Sequence, residues 1–428
     1  MKTIHNDQFG ETYIEDYCDN GLHLVVWHKP NFASTSCLFA TPFGSLDIQQ
    51  RDENGNILIH PAGSAHFLEH KLFESEDQDI MSEFASLGAS VNAFTSFQET
   101  VYYFNTTQPD FSAPLELLLD FVQNLNITEA SVEKEKGIII QELQMYADMP
   151  DSRLFSEVLQ SLYHHHPFRI DIGGDEASVN ATTKKDLENA YRYNYHPSMM
   201  HFIVVTPEDP KKVIELIKKN QEKKTFPAAI NVCRHLDVEK STVYQKEKTI
   251  AMTIQSPRVA VGVKLPLTPQ LSPLELLKEQ WCTRFILEAY FSSINPEYQT
   301  WLDQKKISYF FSYDENISDD ASFLLFYDEG IAIKDFTTFL SDHWEKIKRH
   351  PITELQLNQL KKRTFGETLS TFDNQHKLAV QYFRSLRNQV STFDLLNMIQ
   401  EITLADCLKI CGNLSFENTC YVTINPMD

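Results

Sequence analysis

Hydrophobic positions in the first half of the chain alternate between two periods. Leu22-His23-Leu24-Val25-Val26-Trp27 and Thr35 to Thr41 are apolar runs of strand length, the second meeting Pro42 and Gly44. Pro61 and Gly63 break the chain ahead of a helix that carries His66 and His70. Ser90 to Phe94 and Val101 to Asn105 read as paired strands. Apolar residues at 115, 118, 119, 122 and 125 follow helical spacing. Thr128 is placed to cap another helix, acidic in its first turn, which runs to about Asp148 and is expected to end at Pro150.

The pattern then repeats. His201-Phe202-Ile203-Val204-Val205-Thr206-Pro207-Glu208-Asp209 and Thr419-Cys420-Tyr421-Val422-Thr423-Ile424-Asn425-Pro426-Met427-Asp428 are both apolar strands that end in a proline turn. Ser36 to Thr41 is likewise echoed by Val259 to Lys264. Two diverged copies of one α/β unit are predicted, residues 1–222 and 241–428, with a polar linker at 223–240. The second copy has Trp281-Cys282-Thr283-Arg284-Phe285 where the first has its histidines, so only one half could be catalytic.

Composition narrows the function classes. The 428 residues suit two or more domains, and 42% hydrophobic content is ample for buried cores. A formal charge of −21 opposes binding to a nucleic-acid backbone. No apolar run reaches membrane-spanning length, and the N-terminus lacks the apolar segment of a signal peptide. Seven scattered cysteines form no zinc-ribbon pattern and read as core residues in a reducing compartment. A cytoplasmic location is expected.

Chemistry enters at His66-Phe67-Leu68-Glu69-His70. On a helix this places two imidazoles one turn apart on one face, with a carboxylate between them. Such a pair can hold zinc through two nitrogens and keep a base beside the attacking water. The order inverts the commoner H-E-x-x-H and is similar to the H-x-x-E-H of inverzincins. A third ligand should be an acid or histidine from another helix. Glu135 and Glu142 lie two helical turns apart on one face, flanking Ile138 to Ile140. The apolar run predicts a substantially buried helix, on which a carboxylate needs a cation or a hydrogen-bond partner. His164-His165-His166-Pro167 reads instead as a helix end and turn, since neighbouring helical residues face different directions. Thr95, Ser96 and Thr100 form no nucleophile triad with an ordered base.

Gly63 to His70, then Gly88-Ala89-Ser90-Val91-Asn92-Ala93-Phe94-Thr95, then Glu135 to Glu142 resemble, in that order, the pitrilysin/insulinase family of zinc peptidases. More narrowly, the chain resembles its two-domain bacterial processing-peptidase branch over nearly the whole length. The resemblance implies one zinc ion per chain held by His66, His70 and Glu142, with Glu69 as general base and Glu135 as a supporting acid. It implies that Asn92, Ala93, Phe94 and Thr95 form an edge strand that receives a short or unfolded peptide. It also implies an α+β fold, an α/β sandwich of two homologous domains, each a mostly antiparallel sheet packed by helices. Residues 1–222 would be the zinc-binding peptidase domain and 241–428 its non-catalytic homologue. Two such chains would close as a clam-shell around a chamber.

The family further uses an arginine and a tyrosine, seven residues apart, to hold substrate near the metal. In the matching stretch Tyr309 falls at the tyrosine position, but Leu302 stands where arginine is expected. Leucine cannot donate a hydrogen bond, and Tyr309 by itself reads as a strand residue. The expectation is therefore the zinc-bearing subunit of a heterodimer. Its homologous partner would lack the zinc motif and supply the arginine and tyrosine, a homodimer being less favoured. The alternative is a non-catalytic peptide-binding or structural subunit. A zinc hydrolase of small molecules is a third reading, opposed by the substrate strand.

Overall fold

The computed structural model describes residues 1–74, 79–267, 271–349 and 352–427; Asp428, the last residue of the second echo, lies outside them. A seven-stranded sheet runs in the order β1 (Lys2–Asn6), β2 (Glu11–Tyr17), β3 (His23–His28), β9 (His201–Thr206), β4 (Thr35–Thr41), β8 (Thr100–Thr106), β7 (Ala89–Thr95). A small sheet joins β10 (Val232–Arg234), β5 (Gln49–Asp52) and β6 (Ile57–Ile59). The five-stranded sheet is β11 (Glu247–Met252), β15 (Thr419–Pro426), β12 (Arg258–Lys264), β14 (Ser322–Glu329), β13 (Ser312–Ile317). Every pairing is antiparallel except β3 with β9 and β11 with β15. The order β3-β9-β4-β8-β7 therefore recurs as β11-β15-β12-β14-β13, parallel pair included. The echoing segments of the sequence fill equivalent slots in the two sheets.

Helices that position the site or cover the sheets are α1 (Ser64–Phe73), α2 (Glu129–Ala147), α3 (Pro150–Leu162), α4 (Pro273–Phe291), α5 (Glu354–Ser370) and α6 (Gln375–Arg387). Thr128 caps α2, its hydroxyl accepting the Ser131 N–H at 3.1 Å. Pro150 does more than stop that helix: it is the first residue of α3, where its missing N–H is no loss. The apolar stretch from Leu115 forms a helix over Ser112–Val122, ending before Leu125, which still packs against the core. α2 is less buried than its isoleucine run suggests. Ile139 points inward, whereas Ile138 is 46% exposed, because successive helical residues turn by about 100°.

Both faces of the large sheet are apolar, which explains why all seven residues of β4 are buried. Leu24, Val26, Phe39 and Phe202 join one core cluster with Phe67 and Leu68 of α1. On the opposite face Trp27 stacks on Tyr13 at 4.7 Å and meets the edge of Tyr382 from α6. The chain divides into two compact units, but not at a single linker. The first comprises Met1–Leu143, Asp171–His235 and Ser370–Arg387; the second comprises Gln144–Ile170, Leu236–Leu369 and Asn388–Asp428. α6, late in the sequence, packs on β4 and β9, while α3, early in the sequence, packs on β12 and β15. At Gly262 of β12 a Cβ would fall 2.8 Å from Val158 and 2.9 Å from Cys420, so glycine lets α3 lie close to the sheet. One crossing between the units, His235 to Leu236, falls inside the expected 223–240, but the exchange of Gln144–Ile170 and Ser370–Arg387 goes beyond it, because an apolar strand pattern does not reveal which helix covers it.

That segment is also not a free linker. Its β10 pairs with β5, and Glu239 accepts hydrogen bonds from the N–H groups of His164, His165 and His166 at 2.8, 2.7 and 2.9 Å. Lys264 Nζ approaches the same carboxylate at 2.8 Å. Burial would raise the pKa of Glu239, but the ammonium and three N–H groups outweigh it and pull it to about 2. Unfolded, the group titrates near about 4.3. Its contribution is thus present above that pH and disappears as pH falls through about 2. Between those limits the wild type should lose more stability than Glu239→Gln, about 1 kcal/mol once solvent screening is allowed for, as urea titrations at about pH 7, 4 and 2.5 would show.

Candidate metal centre

α1 is preceded by Gly63 as its N-cap, whose φ is +85°. A Cβ there would sit 2.2 Å from the Gly173 carbonyl oxygen, so the contact that seats this helix admits only glycine. Ala65, Phe67, Leu68 and Leu72 turn into the core and leave His66, Glu69 and His70 on the opposite, half-buried face. On α2, Val132 and Ile139 anchor the helix, and Glu135 and Glu142 meet the histidines.

His66 Nε2 lies 3.8 Å and His70 Nε2 3.3 Å from Glu142 Oε2. One donor atom from each residue falls within 4.8 Å of the others. A tetrahedral zinc with ligands at about 2.0–2.2 Å requires donor separations of about 3.3–3.6 Å, so the set fits that ion with small side-chain adjustments. Among the described residues this is the one cluster of His, Cys, Asp and Glu with such convergence. Glu135 Oε1 lies 3.0 Å from His70 Nδ1, which fixes the ring and leaves Nε2 facing Glu142.

Burial pushes His66 down to about 4, keeping its imidazole neutral and able to donate a lone pair. For His70 burial acts in the same sense, but the Glu135 hydrogen bond and the surrounding carboxylates outweigh it and raise the pKa. Bonding to His70 in turn lowers Glu135. Burial raises Glu69, opposed by the Thr95 hydroxyl, which donates to Glu69 Oε2 at 2.5 Å. Thr95 belongs to β7, so the candidate base is tied to the candidate substrate strand. β7 pairs with β8 alone, Asn92 opposite Tyr103, and no strand covers its other edge among the described residues. Asn92 is exposed there, and Ala93, Phe94 and Thr95 are half-buried.

The remaining candidates belong to the second unit. Leu302, in the short helix Tyr298–Asp303, packs against the apolar core of the second unit. Tyr309 is 85% exposed in a turn, not in a strand, since β13 begins only at Ser312. The turn is closed by Asp328, which accepts from the Ser308 N–H, and by the buried Ile307 and Phe311 on either side. In the second unit Arg284 of α4 bonds Glu315 of β13 at 2.6 Å, where the first unit has Glu69 and β7. An ion pair stands in place of a base there, with no histidine beside it. Two contacts of the centre have no counterpart in sequence reasoning, Thr95 with Glu69 and Lys71 with Glu135. For Thr95 no local signal exists; Lys71 could have been noticed as a lysine on the apolar stripe of α1.

Residues 58–176, which contain all three converging donors, match the family profile described as Insulinase (Peptidase family M16). Residues 181–364 match the profile described as Peptidase M16 inactive domain. A Bacillus subtilis protein named uncharacterized zinc protease YmfH is 36% identical over 423 residues, covering 96% of this chain and 95% of its own. The chain belongs to the M16 peptidase family. A crystal structure from Alicyclobacillus acidocaldarius, described as M16-like, superimposes on this M16 chain with a TM-score of 0.91 at 31% identity, covering 97% of this chain and 99% of that one. Over 204 residues the M16 chain is 28% identical to the Saccharomyces cerevisiae mitochondrial-processing peptidase subunit beta, covering 47% of this chain and 42% of that one. No helix among the described residues is long and apolar enough to cross a membrane.

Proposed function

We propose that this M16 chain is a zinc endopeptidase for short or unfolded peptides, and the metal-bearing subunit of a heterodimeric processing peptidase. The observation that carries the reading is the convergence of His66, His70 and Glu142 beside Glu69, at the open edge of β7. Zinc, held by those three side chains, would supply a Lewis acid that polarises the scissile carbonyl and acidifies water. The chain's own residues do the rest. An extended peptide added to β7 gains main-chain hydrogen bonds largely independent of its sequence. Glu69 accepts the proton of the attacking water and returns it to the leaving amine. Because Thr95 engages Oε2, Oε1 is the oxygen left for the proton. Burial strengthens Glu69 as a base by raising its pKa.

The first unit, with all its metal donors inside residues 1–222, is the active one, and the second, drawn mostly from 241–428, is its non-catalytic homologue. The partner rests on Leu302 and Tyr309. An apolar side chain packed in a core cannot hold a carbonyl, and an exposed tyrosine alone makes half a clamp. A homologous chain without the zinc motif supplies the arginine and tyrosine, and the two chains enclose a chamber closed to folded proteins. A relative named as one subunit of a processing peptidase supports that division of labour. Seven free thiols suit a reducing, cytoplasmic setting. Mass spectrometry of a peptide library treated with the chain alone, and with its co-expressed homologue, tests the reading. Cleavage should rise about 10²-fold or more with the partner, the scale of losing one oxyanion donor. Full activity of the isolated chain would remove the partner. A zinc-free, inactive complex would instead make the chain a peptide-binding or structural subunit.

A further inference from the structure

We propose that Lys71 is a positioning residue of the metal centre, clipping α1 to α2 and holding Glu135 against His70. The inference rests on the metal-centre reading above. Lys71 follows Phe67 and Leu68 on the core-facing side of α1, and its side chain is 0% exposed. A buried ammonium persists only where partners replace its water. Lys71 Nζ donates to the Ser131 carbonyl in the first turn of α2 at 3.1 Å and lies 3.8 Å from Glu135 Oε2. It also pairs with Glu74 at the end of α1.

The other oxygen of Glu135 is the one that meets His70 Nδ1. Ammonium, carboxylate, imidazole and the Glu142 carboxylate thus form a single file, each group orienting the next. Charge balance points the same way. Glu69, Glu135 and Glu142 bring three negative charges to the centre, and a dication leaves one uncompensated. Lys71, whose charge is shared with Glu74, adds positive charge beside Glu135 from the buried side, where solvent screening is weakest. An apolar residue would fill the same slot without that charge.

Chelator-competition measurements of the zinc dissociation constant test this on the full chain, for wild type, Lys71→Met, Lys71→Gln, Glu135→Gln and the Lys71→Met/Glu135→Gln double variant. Lys71→Met should weaken zinc binding about 10- to 100-fold, the range for residues that support ligands from behind. Lys71→Gln keeps a donor for the Ser131 carbonyl and should fall between Lys71→Met and wild type; it carries the test should the methionine variant not fold. Because Lys71 acts through Glu135, the double variant should bind zinc no more weakly than Glu135→Gln alone. Additive losses, or a lowered unfolding midpoint with unchanged zinc affinity, would show a merely structural lysine and overturn the proposal. A wild-type chain that binds no zinc would overturn the metal-centre reading itself, whereas zinc-loaded wild type with unaffected Lys71 variants overturns this inference alone.

Discussion

Glu69→Gln should reduce peptide turnover by about 10²–10⁴-fold, the usual contribution of a general base, while the protein retains its full complement of zinc. The amide matches the carboxylate in shape, and its oxygen can still accept the 2.5 Å hydrogen bond from Thr95. What it loses is the capacity to take a proton. Glu69 lies outside the converging donor set of His66, His70 and Glu142, so metal content should not change. Elemental analysis alongside product mass spectrometry reads both quantities on one sample. Undiminished cleavage would remove Glu69 from the chemistry, and lost zinc would show that its carboxylate helps to hold the ion.

Glu142→Ala should have the opposite signature, with metal and activity disappearing together. It removes the only carboxylate among the three converging donors and leaves two nitrogens, which suit zinc poorly without further ligands. A loss of about 10²-fold or more in zinc affinity is expected, since even residues behind the ligands change it 10- to 100-fold. Wild type stripped by a chelator should recover cleavage on addition of zinc, whereas the variant should not recover at comparable concentrations. Stoichiometric zinc in Glu142→Ala would place the third ligand elsewhere.

The parts of this architecture that were legible in the sequence are those written locally. β4 forms over Thr35 to Thr41, where the apolar run and following proline place it, because a strand buried on both faces leaves an unbroken hydrophobic signature. His66 and His70 share a helical face because they are i and i+4, and Glu135 and Glu142 share one because two turns separate them. The contacts that join distant elements left no such trace. Thr95 reaches Glu69 across 26 residues, and Lys71 reaches Ser131 across 60. Pro150 reads as a helix end yet opens α3, since a proline both stops the preceding helix and suits the first turn of the next. The division into units was hidden because amphipathic helices advertise an apolar face without naming the sheet they cover.

That exchange of helices has a consequence for biogenesis. β4 and β9 are complete once residue 206 has been made, yet their partner α6 begins only at residue 375. At about 5–20 residues per second, the nascent chain therefore waits on the order of 10 to 30 s with Trp27 and its neighbours lacking their aromatic cover. During that interval the emerging sheet presents an apolar surface that chaperones, or a second nascent copy, can occupy. A fragment cut before α6 would keep that vulnerability permanently, so the two halves cannot be expected to behave as separable modules when expressed apart.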